Sequence, residues 1–388
     1  MATDREHDLV LFGGTGFTGG LTAEYLARHA PKDLRWALAG RNRQKLERLR
    51  ARLARIDAAC EKLPLLQADA ADPESLRQVA AASRVVVTTV GPYTLHGEPL
   101  VAACAENGTD YLDLTGEPEF VDRMYLAYDA AARRTGARLV HACGFDSIPY
   151  DLGTYFTVRQ LPEGVPLSVT SRLRVRAEFS GGTYSSALTI VSRSRDAARA
   201  ARERHRAEPR PEGRRIRTTT ARPHRADGQW LLPMPTLDPR IVARSAAALD
   251  RYGPDFGYRQ YVALRRLPTV LAAGAGVGLL ALLAQIPPVR DALGRLRKPG
   301  EGPSERRRAK SWFQVRFTGE GGGTRVETEF AGGDPGYDET AKMLAESALC
   351  LALDDLPATA GQVTTAQAMG DALLDRLVRA GLTIRTLP

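Results

Sequence analysis

Cysteine, histidine and the aromatic residues are all sparse in this chain of 388 residues. The four cysteines, Cys60, Cys104, Cys143 and Cys350, include no Cys-x-x-Cys pair and no spacing that suits a metal finger. They read as reduced thiols of an intracellular protein, and no metal site is expected. A basic stretch followed by an apolar core is missing from the start, where Met1 to Asp8 is polar and acidic; the chain is expected to begin in the cytoplasm. Apolar excess is missing too. Hydrophobic residues make up 43% and charged residues 26% of the whole, which excludes a polytopic membrane protein, a fibrous repeat and a disordered chain. What is present is length enough for two domains, or for one with a large insertion.

Lys and Arg outnumber Asp and Glu 54 to 45, a net charge of +9. The excess is local. From Arg193 to Arg225 twelve arginines face Asp196, Glu203, Glu208 and Glu212, and from Arg290 to Lys310 eight basic residues face Asp291, Glu301 and Glu305. The remainder is slightly acidic, so a general nucleic-acid surface is disfavoured and no nucleic-acid partner is expected. Between the basic segments lies Leu267 to Val289, 23 residues without a charge, bounded by Pro268 and Pro287-Pro288. A helix over Thr269 to Ile286 would be about 27 Å long, the lower limit for spanning a bilayer. Three readings stand: a spanning helix; an interfacial helix whose flanking arginines face anionic headgroups, which places the protein peripherally at the inner face of the plasma membrane; and a helix buried in a core, a homodimer interface or an acyl pocket.

Asp8 to Phe12 is a short apolar run that ends in Gly13-Gly14-Thr15-Gly16-Phe17-Thr18-Gly19-Gly20 and leads into the helical stretch Leu21 to Ala30. Strand, glycine turn and helix in that order form a dinucleotide fingerprint. Gly14, Gly16 and Gly19 fit G-x-G-x-x-G: the first for the tight turn, the second for backbone approach to a pyrophosphate, the third for packing of helix on strand. Gly13, Thr15, Phe17 and Thr18 complete a loop expected to hold the pyrophosphate on the N–H groups of the helix start. Alternating units follow, with strands at Leu34 to Ala39, Pro64 to Ala68, Arg84 to Val90, Asp110 to Leu114 and Arg138 to Ala142, and helices at Gln44 to Ala59, Pro73 to Ala82, Glu98 to Asn107 and Phe120 to Thr135. Six strands with crossover helices predict an α/β, Rossmann-type doubly wound parallel sheet over residues 1–147.

Cofactor choice is read at the end of the second strand. Ala39-Gly40-Arg41-Asn42-Arg43 offers no acid for a ribose 2′-OH, and a guanidinium binds a 2′-phosphate through a charge-assisted fork. NADP(H) is the expected cofactor, with Arg41 and Asn42 at the phosphate; Arg43 is either a second ligand or the start of a solvated helix face. Asp69 either accepts from the adenine amine or caps the helix after it. Val90-Gly91-Pro92-Tyr93 closes the fourth strand at the carboxyl edge, where the nicotinamide half is expected. Gly91 and Pro92 line that place, and Tyr93 either turns its phenol to the reacting region or packs on the loop.

Several segments carry more specific information: GGTGFTG (Gly13 to Gly19), ALAGRN (Ala37 to Asn42), VGPY (Val90 to Tyr93), YLDLTGE (Tyr111 to Glu117), HACGFDSIPYDLG (His141 to Gly153), SGGTYSS (Ser180 to Ser186) and GGDPGYDETAKMLAESALCLAL (Gly332 to Leu353). Together they resemble the saccharopine dehydrogenase-like oxidoreductases, most closely the actinobacterial trans-acting enoyl reductase branch, and the resemblance runs nearly end to end. It implies a Rossmann domain followed by a second domain, α+β with a mixed or antiparallel sheet covering the nicotinamide, over 148–333, with C-terminal helices over 334–388 packing back on the core. For that branch it implies reduction of a polyketide-bound enoyl intermediate in complex (glyco)lipid synthesis, with an acyl thioester or acyl-carrier-bound lipid as substrate. Saccharopine-forming relatives reduce an imine between an amino acid and an oxo acid. An imine-reducing dehydrogenase and a lipid-associated nucleotide-binding protein without turnover therefore stay open beside the enoyl reading.

Cys143-Gly144-Phe145-Asp146-Ser147-Ile148-Pro149 follows the sixth strand at the same carboxyl edge. Asp146 and Ser147 either orient carboxamide or substrate, or cap the helix that begins near Tyr150. Strand-like runs follow at Leu167 to Ala177, Thr183 to Val191, Ser311 to Thr318 and Thr324 to Phe330, and helices at Tyr337 to Ala352 and Thr365 to Ala380. Tyr93, Asp146 and Tyr184 are the candidate polar groups for stabilising a developing enolate.

Overall fold

A computed structural model describes residues 5–177, 193–219, 222–234, 236–265 and 302–388. The expected strand at Thr183 to Val191, Tyr184 within it, and the uncharged run Leu267 to Val289 lie outside the described residues. In the first part, strands β1 (His7–Phe12), β2 (Trp36–Gly40), β3 (Leu65–Gln67), β4 (Ser83–Thr88), β5 (Asp110–Leu112) and β6 (Arg138–Val140) alternate with helices α1 (Phe17–His29), α2 (Arg43–Leu53), α3 (Pro73–Ala82), α4 (Tyr93–His96), α5 (Glu98–Asn107) and α6 (Pro118–Thr135). The second part has α7 (Ile148–Val158), β7 (Leu167–Arg176), α8 (Ser194–Ala207), β8 (Arg215–Thr218), β9 (His224–Ala226), β10 (Gln229–Pro233), α9 (Asp238–Ala248), β11 (Asp255–Leu264), α10 (Glu305–Arg308), β12 (Trp312–Gly321) and β13 (Thr324–Gly332). The chain closes with α11 (Asp338–Leu353), β14 (Gly361–Val363), α12 (Thr365–Ala368), α13 (Gly370–Arg379) and β15 (Thr383–Thr386).

The helix ends follow local chemistry. Asp72 caps α3 by accepting from Glu74 N–H at 3.1 Å, with Pro73 at the first helical position. Gly108 and Gly136, both left-handed, end α5 and α6. Left-handed Gly370 divides the expected helix Thr365 to Ala380 into α12 and α13.

Two sheets result. The first is wholly parallel, in the order β14-β6-β5-β4-β1-β2-β3. Its order reverses between β1 and β4, which opens a crevice at their carboxyl ends. The seventh strand, β14, was not expected from the sequence: it returns from the chain's end to pair with β6. The second sheet is mixed, in the order β15-β13-β12-β7-β11-β10-β9 with β8 also on β11; β7 and β8 run parallel to β11 and the other pairs are antiparallel. Helix α7 lies on its inner face so closely that a Cβ on Gly153 would stand 2.4 Å from the Phe317 ring. Helix α11 packs on α1 and β4, so one core runs from the first sheet into the second.

The described part of the arginine-rich segment Arg193 to Arg225 supplies structure. Helix α8 packs on α6. Arg193 forks onto Glu119 at 2.6 and 2.7 Å. Arg204, buried, holds Glu208 at 2.7 Å, lies 4.0 Å over the Tyr125 ring and stands 3.6 Å from Asp122. Arg240 and Arg244 from α9 reach the same Asp122 at 3.0 and 2.7 Å.

Candidate functional site

The glycine turn joins β1 to α1 at the crevice. Its left-handed residue is Gly13 (φ +91°) and not Gly14, the residue expected to make the tight turn. A Cβ on Gly13 would meet Val90 Cγ2 at 2.6 Å, and one on Gly19 would meet the Gly13 carbonyl at 2.4 Å and Thr89 Oγ1 at 2.6 Å. Gly19 thus lets α1 lie against the turn. Gly16 is different: it is exposed, and the nearest atom to its Cβ would be 3.5 Å away. No side chain caps α1, so its first N–H groups, from Phe17 and Thr18 onward, open on the crevice beside exposed Thr15, an arrangement that suits an anion. The Phe17 ring turns away, edge-on to Tyr337 at 4.7 Å with Arg308 5.5 Å over it.

At the end of β2, Arg41 is exposed; its carbonyl accepts from Gln67 Nε2, and its guanidinium makes no hydrogen bond or ion pair among the described residues. Arg43 is spoken for: it pairs with Glu47 at 3.0 Å and donates to the Leu65 carbonyl. Asn42 caps α2, accepting from Lys45 N–H at 2.9 Å. Asp69 does not cap α3, which is Asp72's part; it accepts from Ala71 N–H in a turn. One free guanidinium beside an uncapped helix start fits a 2′-phosphate and a pyrophosphate on one cofactor.

Across the crevice, exposed Gly91 and half-buried Pro92 follow β4, joined by a cis peptide. Tyr93 departs from the expected role. Its ring is buried, its hydroxyl donates to the Thr88 carbonyl at 3.1 Å and accepts from Leu114 N–H at 3.1 Å. The phenol ties the ends of β4 and β5 together instead of facing the crevice. Glu117, also buried, accepts from the N–H groups of Tyr93 and Thr94 at the start of α4.

The Cys143 to Pro149 segment adds the third wall. Neither Asp146 nor Ser147 caps α7. Asp146 is reached by solvent, yet loss of hydration among its protein neighbours pushes its carboxyl up to about 6. Its carboxylate lies over Gly116, where a Cβ would be 3.2 Å from Oδ2. Phe145 N–H donates to Thr340 Oγ1 at 3.1 Å, and Thr340 donates to the Pro335 carbonyl at 2.7 Å, so the two most specific motifs of the sequence touch. Sequence reasoning missed Asp238, buried behind Asp146. Its carboxyl is pushed up to about 7 by burial, against the lowering bonds from Thr236 and Gln260, with the Asp146 charge adding to the rise. Its contacts lie 22 and 91 residues away along the chain, so no local pattern marks it.

Residues 9–140 match the family described as the saccharopine dehydrogenase NADP binding domain. A Mycobacterium tuberculosis protein named trans-acting enoyl reductase is 39% identical over 415 residues, covering 99% of this chain and 98% of its own length. Its Mycobacterium ulcerans counterpart is 37% identical over 417 residues, with the same coverage. This chain belongs to the saccharopine dehydrogenase-like family, with the trans-acting enoyl reductases among its relatives. Saccharopine dehydrogenase (L-Glu forming) from Saccharomyces cerevisiae shares the fold, with a TM-score of 0.56 at 12% identity over 98% of this chain and 99% of that one. As a member of the family the chain is an NADP(H)-binding oxidoreductase with a Rossmann domain and a second, mixed-sheet domain. Among the described residues no helix is long and apolar enough to cross a membrane.

Proposed function

We propose that this protein is an NADPH-dependent enoyl reductase acting on an acyl thioester. Asp146 carries the reading: a solvent-reached carboxyl in the turn after β6, at the carboxyl edge of the sheet, whose value is pushed up to about 6 so that a fraction stays protonated just below neutral pH. Its rise comes from lost hydration alone, with no cation offsetting it. An imine-reducing dehydrogenase that grips amino-acid carboxylates would place cationic groups there; among the described residues the ionisable groups coupled to Asp146 are another carboxylate and a phenol, Asp238 and Tyr150.

Bound NADPH would supply a hydride to the substrate's β-carbon; Arg41 and the first N–H groups of α1 would hold its phosphates, and Gly91 and Pro92 would border its reacting half. Asp146 gives its proton to the α-carbon and is left as carboxylate, a general-acid role that side chains of this kind fill with about 10²–10⁴-fold effect. The acyl group is proposed to arrive on an anionic carrier. Arg195, Arg199, Arg202 and Arg206 are exposed at helical spacing along α8, a basic stripe that suits acidic or phosphate-bearing groups. Peripheral attachment to an anionic membrane would draw on the same stripe together with residues 267–289.

NADPH oxidation with a short enoyl thioester tests the reading, with an amino acid plus an oxo acid as the competing substrate pair. Turnover with the thioester, lowered roughly 100-fold or more by Asp146→Asn at unchanged NADPH affinity, is expected. Turnover with the imine-forming pair alone would overturn it.

A further inference from the structure

Asp113, the first residue after β5, is fully buried, and its carboxylate takes donors from two loops. Oδ2 accepts from His141 Nδ1–H at 2.6 Å; Oδ1 accepts from Ala142 N–H at 2.9 Å and, within its own loop, from Thr115 N–H at 3.0 Å. The Asp113 carbonyl accepts from Cys143 N–H at 2.7 Å. One residue thus binds three consecutive residues at the end of β6. The middle one is left-handed: Ala142 has φ +61°, a conformation that residues with a side chain seldom adopt. Its methyl group is buried with Val121, Leu237 and Ile241. This bend comes two residues before the Gly144 to Ser147 turn that carries Asp146. The loop of Asp113 is itself fixed, since Leu114 N–H donates to the Tyr93 hydroxyl and Glu117 accepts from the N–H groups of Tyr93 and Thr94. Turn and loop then touch at two glycines: a Cβ on Gly116 would stand 3.2 Å from Asp146 Oδ2, and one on Gly144 2.7 Å from Leu114 Cδ2.

A carboxylate offers acceptors only, which matches three N–H groups aimed at one side chain. Asparagine would turn its own N–H groups onto at least one of those donors and leave it buried without an acceptor. A strained backbone persists only where its surroundings over-determine it, and Asp113 supplies two bonds that do so here, to the N–H groups of Ala142 and Cys143. We propose that Asp113 is a positioning residue: it holds Ala142 in the left-handed bend that aims the Gly144 to Ser147 turn, and so sets where the Asp146 carboxyl stands at the carboxyl edge of the sheet. His141 takes part by holding Oδ2, which leaves Oδ1 turned to Ala142. Thr340 holds the same turn from the other side, through Phe145 N–H. Being buried, Asp113 acts through the turn and not on the substrate. The proposal rests on the reading of Asp146 as the proton donor.

The full-length protein with NADPH and crotonyl-CoA tests this, with sites counted by NADPH binding so that loss of folded protein is not read as loss of rate. Asp113→Asn is expected to lower kcat per site roughly ten-fold or more, as a misplaced reacting group does, with KM and NADPH affinity unchanged. Ala142→Gly added to Asp113→Asn is expected to raise kcat again, about three-fold or more, since glycine takes the left-handed conformation unaided. Should Asp113→Asn fail to fold, His141→Phe takes its place. It keeps a ring against Tyr111 and Phe120 but removes the donor, and is expected to lower kcat about three-fold or more at unchanged KM, again with recovery by Ala142→Gly. An unchanged kcat per site, a loss shared between kcat and KM, or a loss that Ala142→Gly does not reverse overturns the proposal. Absence of any wild-type turnover with crotonyl-CoA removes the enoyl reading instead. The bend is then decided by amide hydrogen exchange over Ala142 to Ser147 in the same variants. A rise that Ala142→Gly reverses supports it; exchange that is unchanged, or that rises and stays raised, overturns it.

Discussion

Phe145 N–H donates to the hydroxyl of Thr340 at 3.1 Å, and this bond joins the loop after β6 to the start of α11 almost two hundred residues later. Gly144 lets the two approach: a Cβ there would stand 2.7 Å from Leu114 Cδ2 and 3.1 Å from Thr340 Cγ2. Thr340→Val keeps the shape and leaves Phe145 N–H unpaired, at a cost of about 1–3 kcal/mol. The loosened turn carries Asp146, so kcat is expected to fall with NADPH affinity unchanged, and Thr340→Ser to recover both stability and kcat. Thermal melts and steady-state kinetics read the two effects separately.

Two of the motif glycines, Gly16 and Gly19, separate by what their added methyl groups would meet. Gly19→Ala places a Cβ 2.4 Å from the Gly13 carbonyl, 2.9 Å from Gly14 Cα and 2.6 Å from Thr89 Oγ1, an overpacking worth about 1–3 kcal/mol that the turn has no room to relieve. Gly16→Ala meets nothing closer than 3.5 Å. Gly16→Ala is therefore expected to melt like wild type and bind NADPH poorly, since its methyl group stands where the pyrophosphate approaches. Gly19→Ala is expected to melt lower even without cofactor. Equal melting of the two variants would count against this division.

The alternating units of the first domain were legible because each is local: the α3 and α5 bounds follow from Asp72, Pro73 and Gly108. Strand β14 was not legible, being three residues long and paired with a strand more than two hundred residues earlier. Tyr93 shows the same limit at the site. Its position at the carboxyl edge was readable, but the direction of its phenol is set by Leu114 N–H and the Thr88 carbonyl, contacts that exist only once β4 and β5 are paired. The Arg193 to Arg225 excess reads as a basic surface in sequence, yet Arg193 and Arg204 are consumed by Glu119, Asp122 and Glu208 in the fold.

Among the described residues the Arg41 guanidinium at the end of β2 is unpaired, whereas Arg43 already holds Glu47. Arg41→Ala is expected to weaken NADPH binding roughly 10- to 100-fold, the loss of charge-assisted bonds worth about 1.5–3 kcal/mol, and to leave NADH binding unchanged. Arg43→Ala is expected to change neither by more than about two-fold. Fluorescence titration of both dinucleotides against the two variants decides it; a larger effect from Arg43 would exchange their roles.

Asp122, 2% exposed, is the shared anion for Arg204, Arg240 and Arg244. Asp122→Ala takes the hydrogen-bonded anion from Arg244 and the nearby charge from Arg204, which keeps Glu208, and costs about 1–3 kcal/mol. Arg240 is 43% exposed at its side chain, so Arg240→Ala should cost no more than about 1 kcal/mol. Hydrogen exchange is expected to rise along α8 in Asp122→Ala and to stay at the wild-type level in Arg240→Ala. Unchanged exchange in Asp122→Ala would show that α8 is held by other contacts.

Stability against pH offers a test of the buried acids that needs no substrate. Asp238 and Asp146 titrate at about 7 and about 6 in the fold, above the ordinary carboxyl value of 3.8. Between about 4 and 7 the folded chain therefore keeps protons that the unfolded chain has released, so these two acids make stability fall as the pH rises through that window. His7 acts in the opposite sense: burial lowers its value, so the folded chain holds fewer protons there up to the ordinary histidine value of 6.5. Because His7 is common to both proteins, the difference between wild type and Asp238→Asn isolates the acid. The variant is expected to melt close to wild type at pH 4, where Asp238 is protonated in the fold, and above it at pH 8, with the gap opening mainly between pH 5 and 7. A gap that is constant from pH 4 to 8 would mean that Asp238 does not change its charge in the fold over that window.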